Sequence, residues 1–327
     1  MSSFRPILLL LSLSLLLYSC EKVLDVDESA IPKEVVVNAM PITGQQLFVN
    51  VSYSRFLLDP SNQHPVPSAD IALSVNGNVL YPHHTQGCNY FFDYIAQPDD
   101  TIALSLFADG KHITAQTYTP RMPRITNVSA RVDKSKTFTL GNVYLTFNDY
   151  PNYPEYYHIT VSRRDSGVVY RPSRHLFDTV DTIRSTYFFF FDPQLTDPSV
   201  LYSGSLANML YTKILSLGKL IDGQTHTAPI SILMLTDTNE VQPFLHRYRI
   251  LFESVTPARF SYISYLGANG NSSILSEPAQ MYSNVKGGAY GIFAGSARRE
   301  FWVDFDTNGN GTVTPITPPA APAPCRQ

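Results

Sequence analysis

Ile71-Ala72-Leu73-Ser74-Val75-Asn76-Gly77-Asn78-Val79-Leu80-Tyr81 decides the class of the fold. Ile71, Leu73 and Val75 alternate with Ala72 and Ser74, the period of a half-buried strand. Asn76-Gly77 is the pair a two-residue hairpin needs, because both central residues must take positive φ. The same grammar recurs nearby. Asp109-Gly110 separates a run from Ile102 to Phe107 from a run from His112 to Tyr118, and Leu47, Val49, Val51 and Tyr53 alternate with Phe48, Asn50, Ser52 and Ser54. With Glu34 to Met40 and Tyr90 to Ile95 added, residues 33–119 read as a small antiparallel sandwich of the Ig-like kind.

Pro120 and Pro123 then bracket Arg121-Met122. Proline cannot donate to a sheet ladder, so a domain boundary is placed here. Residues 124–305 read as a second β-rich domain with strands over Phe138 to Phe147, Tyr156 to Val161 and Phe244 to Phe252. In the last of these, Phe244, His246, Tyr248, Ile250 and Phe252 share one face, while Arg247, Arg249 and Glu253 share the other. A short helix is expected after Thr256, which suits the N-cap, with Pro257 at the first helical position and Gly267 closing the end. Residues 306–327 turn to Asn, Gly, Thr, Pro and Ala and are expected to be a disordered tail. The expected fold is all-β, two consecutive β-sandwich-like domains with one inserted helix.

The composition agrees with a folded body. Of 327 residues, 44% are hydrophobic and only 16% charged, enough apolar surface to exclude general disorder. Three cysteines cannot staple so long a chain, and a net charge of -3 gives no general electrostatic reason to bind nucleic acid.

Ahead of the sandwich lies an export signal. After Arg5 an apolar run from Ile7 to Tyr18 covers 12 residues, against roughly 20 for a membrane span. Leu17-Tyr18-Ser19-Cys20 closes it and resembles the lipobox of bacterial lipoproteins. That resemblance implies removal of residues 1–19, lipidation of Cys20 and a tether over residues 20–32. Glu21, Asp25, Asp27 and Glu28, with Lys22 among them, resemble the surface-export signal of Bacteroidota lipoproteins.

Three blocks carry a wider resemblance: Cys20 to Asp27 leading into Glu34 to Ala39, then Val66 to Ser74, then Ser276-Glu277-Pro278 through Tyr282-Ser283-Asn284 and Gly287-Gly288 to Gly291 and Phe293. Together they resemble the Bacteroidota lipoproteins of domain-of-unknown-function family 4249, over roughly Cys20 to Phe305, the last block being the specific one. The resemblance implies an outer-membrane or surface lipoprotein, commonly encoded near TonB-dependent transporters, with no established activity. The last block itself reads as structure, a turn and strand closing the second domain, and not as a phosphate cradle.

Candidate chemistry is sparse. The sequence has no G-x-S-x-G, H-E-x-x-H, P-loop or C-x-x-C motif. His83 and His84 face opposite ways on a strand, so they do not make a metal site with Cys88. Asp306 to Gly311 matches half of a calcium loop, but Thr317 stands where the bidentate Glu belongs. No metal and no cofactor are expected. The stretch from Arg163 to Phe191 is the best binding candidate: Tyr170, Arg171, Arg174, His175 and Arg184 offer aromatic faces and forked donors, on a surface loop before a buried Phe188 to Phe191 strand. The expected function is therefore a non-enzymatic accessory lipoprotein, anchored in the outer membrane at the cell surface, that binds alongside a TonB-dependent transporter in nutrient uptake. An adhesion or structural envelope protein and a hydrolase with a scattered site are the alternatives left open.

Overall fold

The computed structural model describes residues 33–55, 63–134, 139–153, 156–186, 188–190, 212–216, 222–234, 239–269, 282–306 and 310–316. The lipidation candidate Cys20 and the block residues Ser276, Glu277 and Pro278 lie outside them. The described chain is nearly all strand, with one helix. That helix is too short to cross a membrane.

The first half contributes β1 (Val35–Ala39), β2 (Gln46–Tyr53), β3 (Asp70–Val75), β4 (Asn78–Leu80), β5 (His84–Gln86), β6 (Asn89–Ile95), β7 (Thr101–Ala108) and β8 (Lys111–Tyr118). The second contributes β9 (Arg124–Lys134), β10 (Thr139–Asn148), β11 (Tyr156–Arg171), β12 (Leu176–Ser185), β13 (Phe188–Phe190), β14 (Thr212–Ser216), β15 (Thr225–Leu233), β16 (Glu240–Val255), helix α1 (Pro257–Asn269), β17 (Tyr290–Phe293), β18 (Ser296–Phe305) and β19 (Asn310–Ile316). Three sheets result. They run β17-β1-β2-β6-β5, β4-β3-β7-β8, and β12-β11-β16-β18-β19-β9-β10-β15-β13 with β14 also on β11.

Turn chemistry sets the first sandwich. Asn76 and Gly77, and Asp109 and Gly110, all have positive φ, closing Val75 on Asn78 and Ala108 on Lys111. Alternation then delivers Val35, Val37, Leu47, Val49, Val51, Ile71, Leu73, Phe92, Ile102, Leu104 and Leu106 to one interior. Asp100 locks the turn end of this core. It is almost fully buried and accepts from the Gln97 amide at 2.7 Å, Asn76 Nδ2 at 2.7 Å and the Tyr94 hydroxyl at 3.0 Å.

A second core gathers Val143, Leu145 and Phe147 of β10, Tyr157, Ile159 and Val161 of β11, Tyr248, Ile250 and Phe252 of β16, and strands around them. Its centre is aromatic. Phe147, Tyr157 and Phe252 lie with ring centroids 4.8 to 5.0 Å apart, contacts that add about 1 kcal/mol each beyond area burial. Backbone bonds run on between the cores, from Thr43 N to Ser296 O at 2.9 Å and from Ser296 N to Pro41 O at 2.8 Å.

Four expectations are corrected. The specific block does not close the second region. Its strand β17 pairs in parallel with β1, Lys286 bonds Thr114 of β8, and Val285, Ala289 and Phe293 enter the first core. The reason is close approach: a Cβ on Gly287 would meet the His112 carbonyl oxygen, and one on Gly291 that of Val37, and both glycines have positive φ. Gly288 meets only the Lys111 side chain, although its φ is positive too. Around them Asn284 bonds both backbone groups of Phe293 at 2.8 Å, and Ser283 Oγ accepts from the Gly291 amide at 3.1 Å. Tyr282 is half-buried.

The expected disordered tail holds β19, whose residues 311–316 pair with β18. Alternating Val313 against the core edge outweighs the Gly and Pro content. Gly267 does not end the helix, which continues to Asn269; Thr256 caps it, its Oγ1 accepting from the Arg259 amide at 3.4 Å. The stretch from Arg163 to Arg184 is no loop. It is a hairpin of β11 and β12, turned at Pro172 to His175 with His175 at positive φ. Phe188 is fully buried, while Phe191 lies outside the described residues.

Candidate functional site

Three strands outrun the second core. Inside it β11 presents Tyr157, Ile159 and Val161, but from Arg163 onward the inward positions turn polar while the ladder to β16 continues to Val169↔Glu240. With β12 paired from Ser162↔Ser185 to Arg171↔Leu176, the outer parts of β11, β12 and β16 form a three-stranded arm.

The arm leaves apolar side chains in solvent. Leu176, Phe177, Ile183, Val241 and Leu245 are five of the eleven large hydrophobic side chains exposed among the described residues, and Phe177 is 67% exposed. Register places Tyr170, Phe177, Ile183, Val241 and Leu245 on the face that does not look into the core. Tyr170 and Phe177 pair across the strands at 5.1 Å. Clustered exposed apolar surface rimmed by polar groups is the ordinary mark of an interaction site.

Around the strip the charges are arranged in pairs. Arg164 grips Asp181 through two bonds of 2.8 Å on the same face as the strip, and on the opposite face Arg171 meets Asp178 at 2.7 Å. The Arg164 guanidinium holds the Asp181 carboxyl below its ordinary range. Being exposed, such pairs fix geometry more than they stabilise. The sequence candidates therefore separate. Tyr170, Arg171, Arg174 and His175 gather at the tip, where the Tyr170 hydroxyl and His175 Nδ1 share a hydrogen bond of 3.2 Å. Arg184 sits about 23 Å away, seven residues down the ladder. It is spent on Asp165 at 2.7 Å.

Asp165 is the joint of the arm, and the sequence did not single it out. Its carboxylate has no exposure and also meets Arg163 at 2.6 Å and His246 Nδ1 at 2.8 Å, while His246 Nε2 reaches the nearly buried Glu240 at 3.0 Å. Beneath them burial pushes the Tyr248 phenol up, against the pull of Arg163. A second cluster was missed at the other end of the ladder. Glu253, placed by alternation on the face opposite Tyr248 and Phe252, is buried on that face under α1, where it accepts from His158 Nδ1 at 2.8 Å and faces Arg259 at 3.4 Å. Burial raises its carboxyl, but the His158 hydrogen bond and the charges of Arg259 and Arg298 prevail and lower it to about 2. Thr256-Pro257, a helix start three residues on, was the available signal.

Among the described residues no group of three or more His, Cys, Asp or Glu is placed to hold an ion. His83 and His84 lie at an exposed edge, and Cys88 is buried, its thiol pushed up by desolvation. Asp306 accepts from the Asn310 amide at 2.7 Å within the β18–β19 connection. These arrangements hold structure, and the arm presents surface.

The model of a protein family, Domain of unknown function (DUF4249), matches residues 21–301. The chain belongs to this family. Within this DUF4249 chain the match takes in the first core, the second except Val303, Phe305 and Val313, the arm and the Gly287 to Phe293 block. No curated protein and no solved structure matches it.

Proposed function

We propose that this protein is a non-enzymatic accessory lipoprotein, anchored through a lipid on Cys20 to the outer membrane of a Bacteroidota cell and displayed at its surface, where it works with a TonB-dependent transporter in nutrient uptake. The carrying observation is the arm: an apolar and aromatic strip held out from the core on three paired strands, its polar neighbours already matched to one another. Such a surface suits a protein partner, since desolvating Phe177, Ile183 and Leu245 strands no unpaired charge. Ser19-Cys20 and the acidic residues after it support the anchor and its display.

Two measurements test this reading. Cys20→Ala is expected to move the protein from the membrane fraction to the soluble envelope, and retention after a carbonate wash would remove the anchor. Affinity purification from the native membrane after in vivo crosslinking is expected to recover a transporter barrel in near-stoichiometric amount, less of it with Arg171→Glu and Arg174→Glu. Recovery of the protein alone would move the assignment to an adhesion or structural role.

A further inference from the structure

The outward face of the first sheet carries two parallel rows of side chains that no core uses. In one, the ladder places Asn38 of β1 opposite Asn50 of β2, Asn50 opposite Asn89 of β6, and Asn89 opposite Gln86 of β5. Four amide side chains thus cross four neighbouring strands, a row about 14 Å long at ordinary strand spacing. In the other, Phe48 lies opposite Phe91 and Phe91 opposite His84. The rings stand 5.9 Å apart at both steps, tilted by 33° and 23°. Phe48 is 44% exposed, and His84 and Gln86 are exposed.

The amide row keeps most of its hydrogen-bonding capacity. Asn50 Nδ2 donates to Asn89 Oδ1 at 2.8 Å and to Gln63 Oε1 at 3.1 Å while its own Oδ1 is buried, so Asn50 orients its neighbours and leaves Asn38, Asn89 and Gln86 to meet a ligand. Asn38 and Gln86 spend their amides on no other described side chain. Each free amide offers both a donor and an acceptor. Neither row contains a carboxylate, a lysine or an arginine; Asp93, exposed on the same face of β6, lies beyond the aromatic row.

We infer that this face binds a neutral carbohydrate chain. A sugar ring has one side of polarised C–H groups, which packs on the negative face of an aromatic ring, and a rim of hydroxyls that donate and accept in equal measure. An aromatic row with an uncharged amide row one residue pair away meets both needs at once. Charge selects against the alternatives: an anionic ligand finds no lysine or arginine in the rows, and a cationic one no carboxylate. The site lies on the first sandwich, away from the arm strands, and depends neither on the arm nor on the lipid anchor.

The purified full chain is run in native gels containing xyloglucan, galactomannan, amylopectin or a β-1,3-glucan, with dextran sulfate as the polyanion control. Retardation is expected in at least one neutral gel, with apparent affinity falling about tenfold in Phe48→Ala and about threefold in Gln86→Ala. Gln86 is exposed at an edge strand, so its variant reads the site even where Phe48→Ala lowers the melting temperature. Migration unaltered in all four neutral gels, retardation by dextran sulfate alone, or retardation that survives both substitutions would overturn the assignment.

Discussion

At each end of the β11–β16 ladder a histidine faces a carboxylate across the strands, His158↔Glu253 at the inner end and Asp165↔His246 at the outer. Both contacts are 2.8 Å and both carboxylates are buried. Their surroundings differ. The inner pair lies on the face turned away from the aromatic core and is closed over by α1 through Arg259. The outer pair lies on the core-facing side, beyond the point where the core stops, and among the described residues meets Arg163, Arg184 and Glu240. Strand pairing is continuous between them, so backbone hydrogen bonding alone does not distinguish body from arm. What distinguishes them is the side-chain filling, aromatic inside and ionic outside. An arm built this way can keep its shape while leaving Phe177 and Leu245 to solvent.

The sharpest break comes from the aromatic filling beside the inner pair. Tyr157 is fully buried, stacks on Phe252 and donates to Asp149 at 3.1 Å. Tyr157→Ala is expected to cost about 3–5 kcal/mol, a cavity plus an orphaned acceptor, and to unfold the second core. Guanidinium denaturation would show it, and a loss below about 1 kcal/mol would mean that the core does not hold the ladder. Asp165→Ala comes next, at about 3 kcal/mol, because it leaves Arg163 buried without its counter-charge. Its loss should be local. Hydrogen exchange is expected to rise in residues 163–184 while the amides of Tyr157 to Val161 stay protected.

The inner pair is sharpened by acid. Glu253 titrates at about 2 in the folded protein against an ordinary 4.5. A depressed carboxylate contributes stability above its unfolded pKa, and that contribution drains away as pH falls from about 4.5 through about 2. The amount is on the order of 3 kcal/mol, counting one pKa unit as about 1.4 kcal/mol. Denaturation midpoints measured from pH 6 to pH 2.5 should therefore decline, and Glu253→Gln should flatten the decline by about one bound proton. An unchanged slope in the variant would mean that other carboxylates govern acid unfolding.

Much of this fold could be read directly, and the reasons are local. Asn76-Gly77 and Asp109-Gly110 act through their own φ angles, and the alternation of Leu47 to Tyr53 acts through a period of two, so neither depends on distant chain. The errors and omissions fall where a distant element decides. Gly291 is constrained by the Val37 carbonyl far away in sequence, Glu253 by a helix lying over its strand, and Asn310 to Ile316 by the edge of β18. The candidate site shows the same division. Tyr170, Arg171, Arg174 and His175 are brought together because they are neighbours in one hairpin, whereas Arg184 is drawn off to Asp165, whose burial no sequence pattern announces. The amide row across β1, β2, β6 and β5 has no linear signature at all, since its members are joined only by register.

The smallest expected effect on stability is also the one that bears on function. Phe177→Ser with Leu245→Ser removes two side chains that are 67% and 51% exposed. Little buried area is lost, so the folded protein is expected to change by no more than about 0.5 kcal/mol, with coincident thermal transitions for both chains. Binding should respond in the opposite sense. Apolar groups that are wet in the free protein contribute about 25 cal/mol for each Å² they bury on association, so removing them is expected to lower transporter recovery in the crosslinked purification severalfold. Asp165→Ala should lower it as well, by loosening the arm, but with a visible loss of hydrogen-exchange protection. A double serine variant that melts like the parent and still recovers its partner in full would show that the arm is exposed for some reason other than docking. One that melts well below the parent would show that the strip is packed, and that the comparison between a filled inner end and an open outer end is wrong.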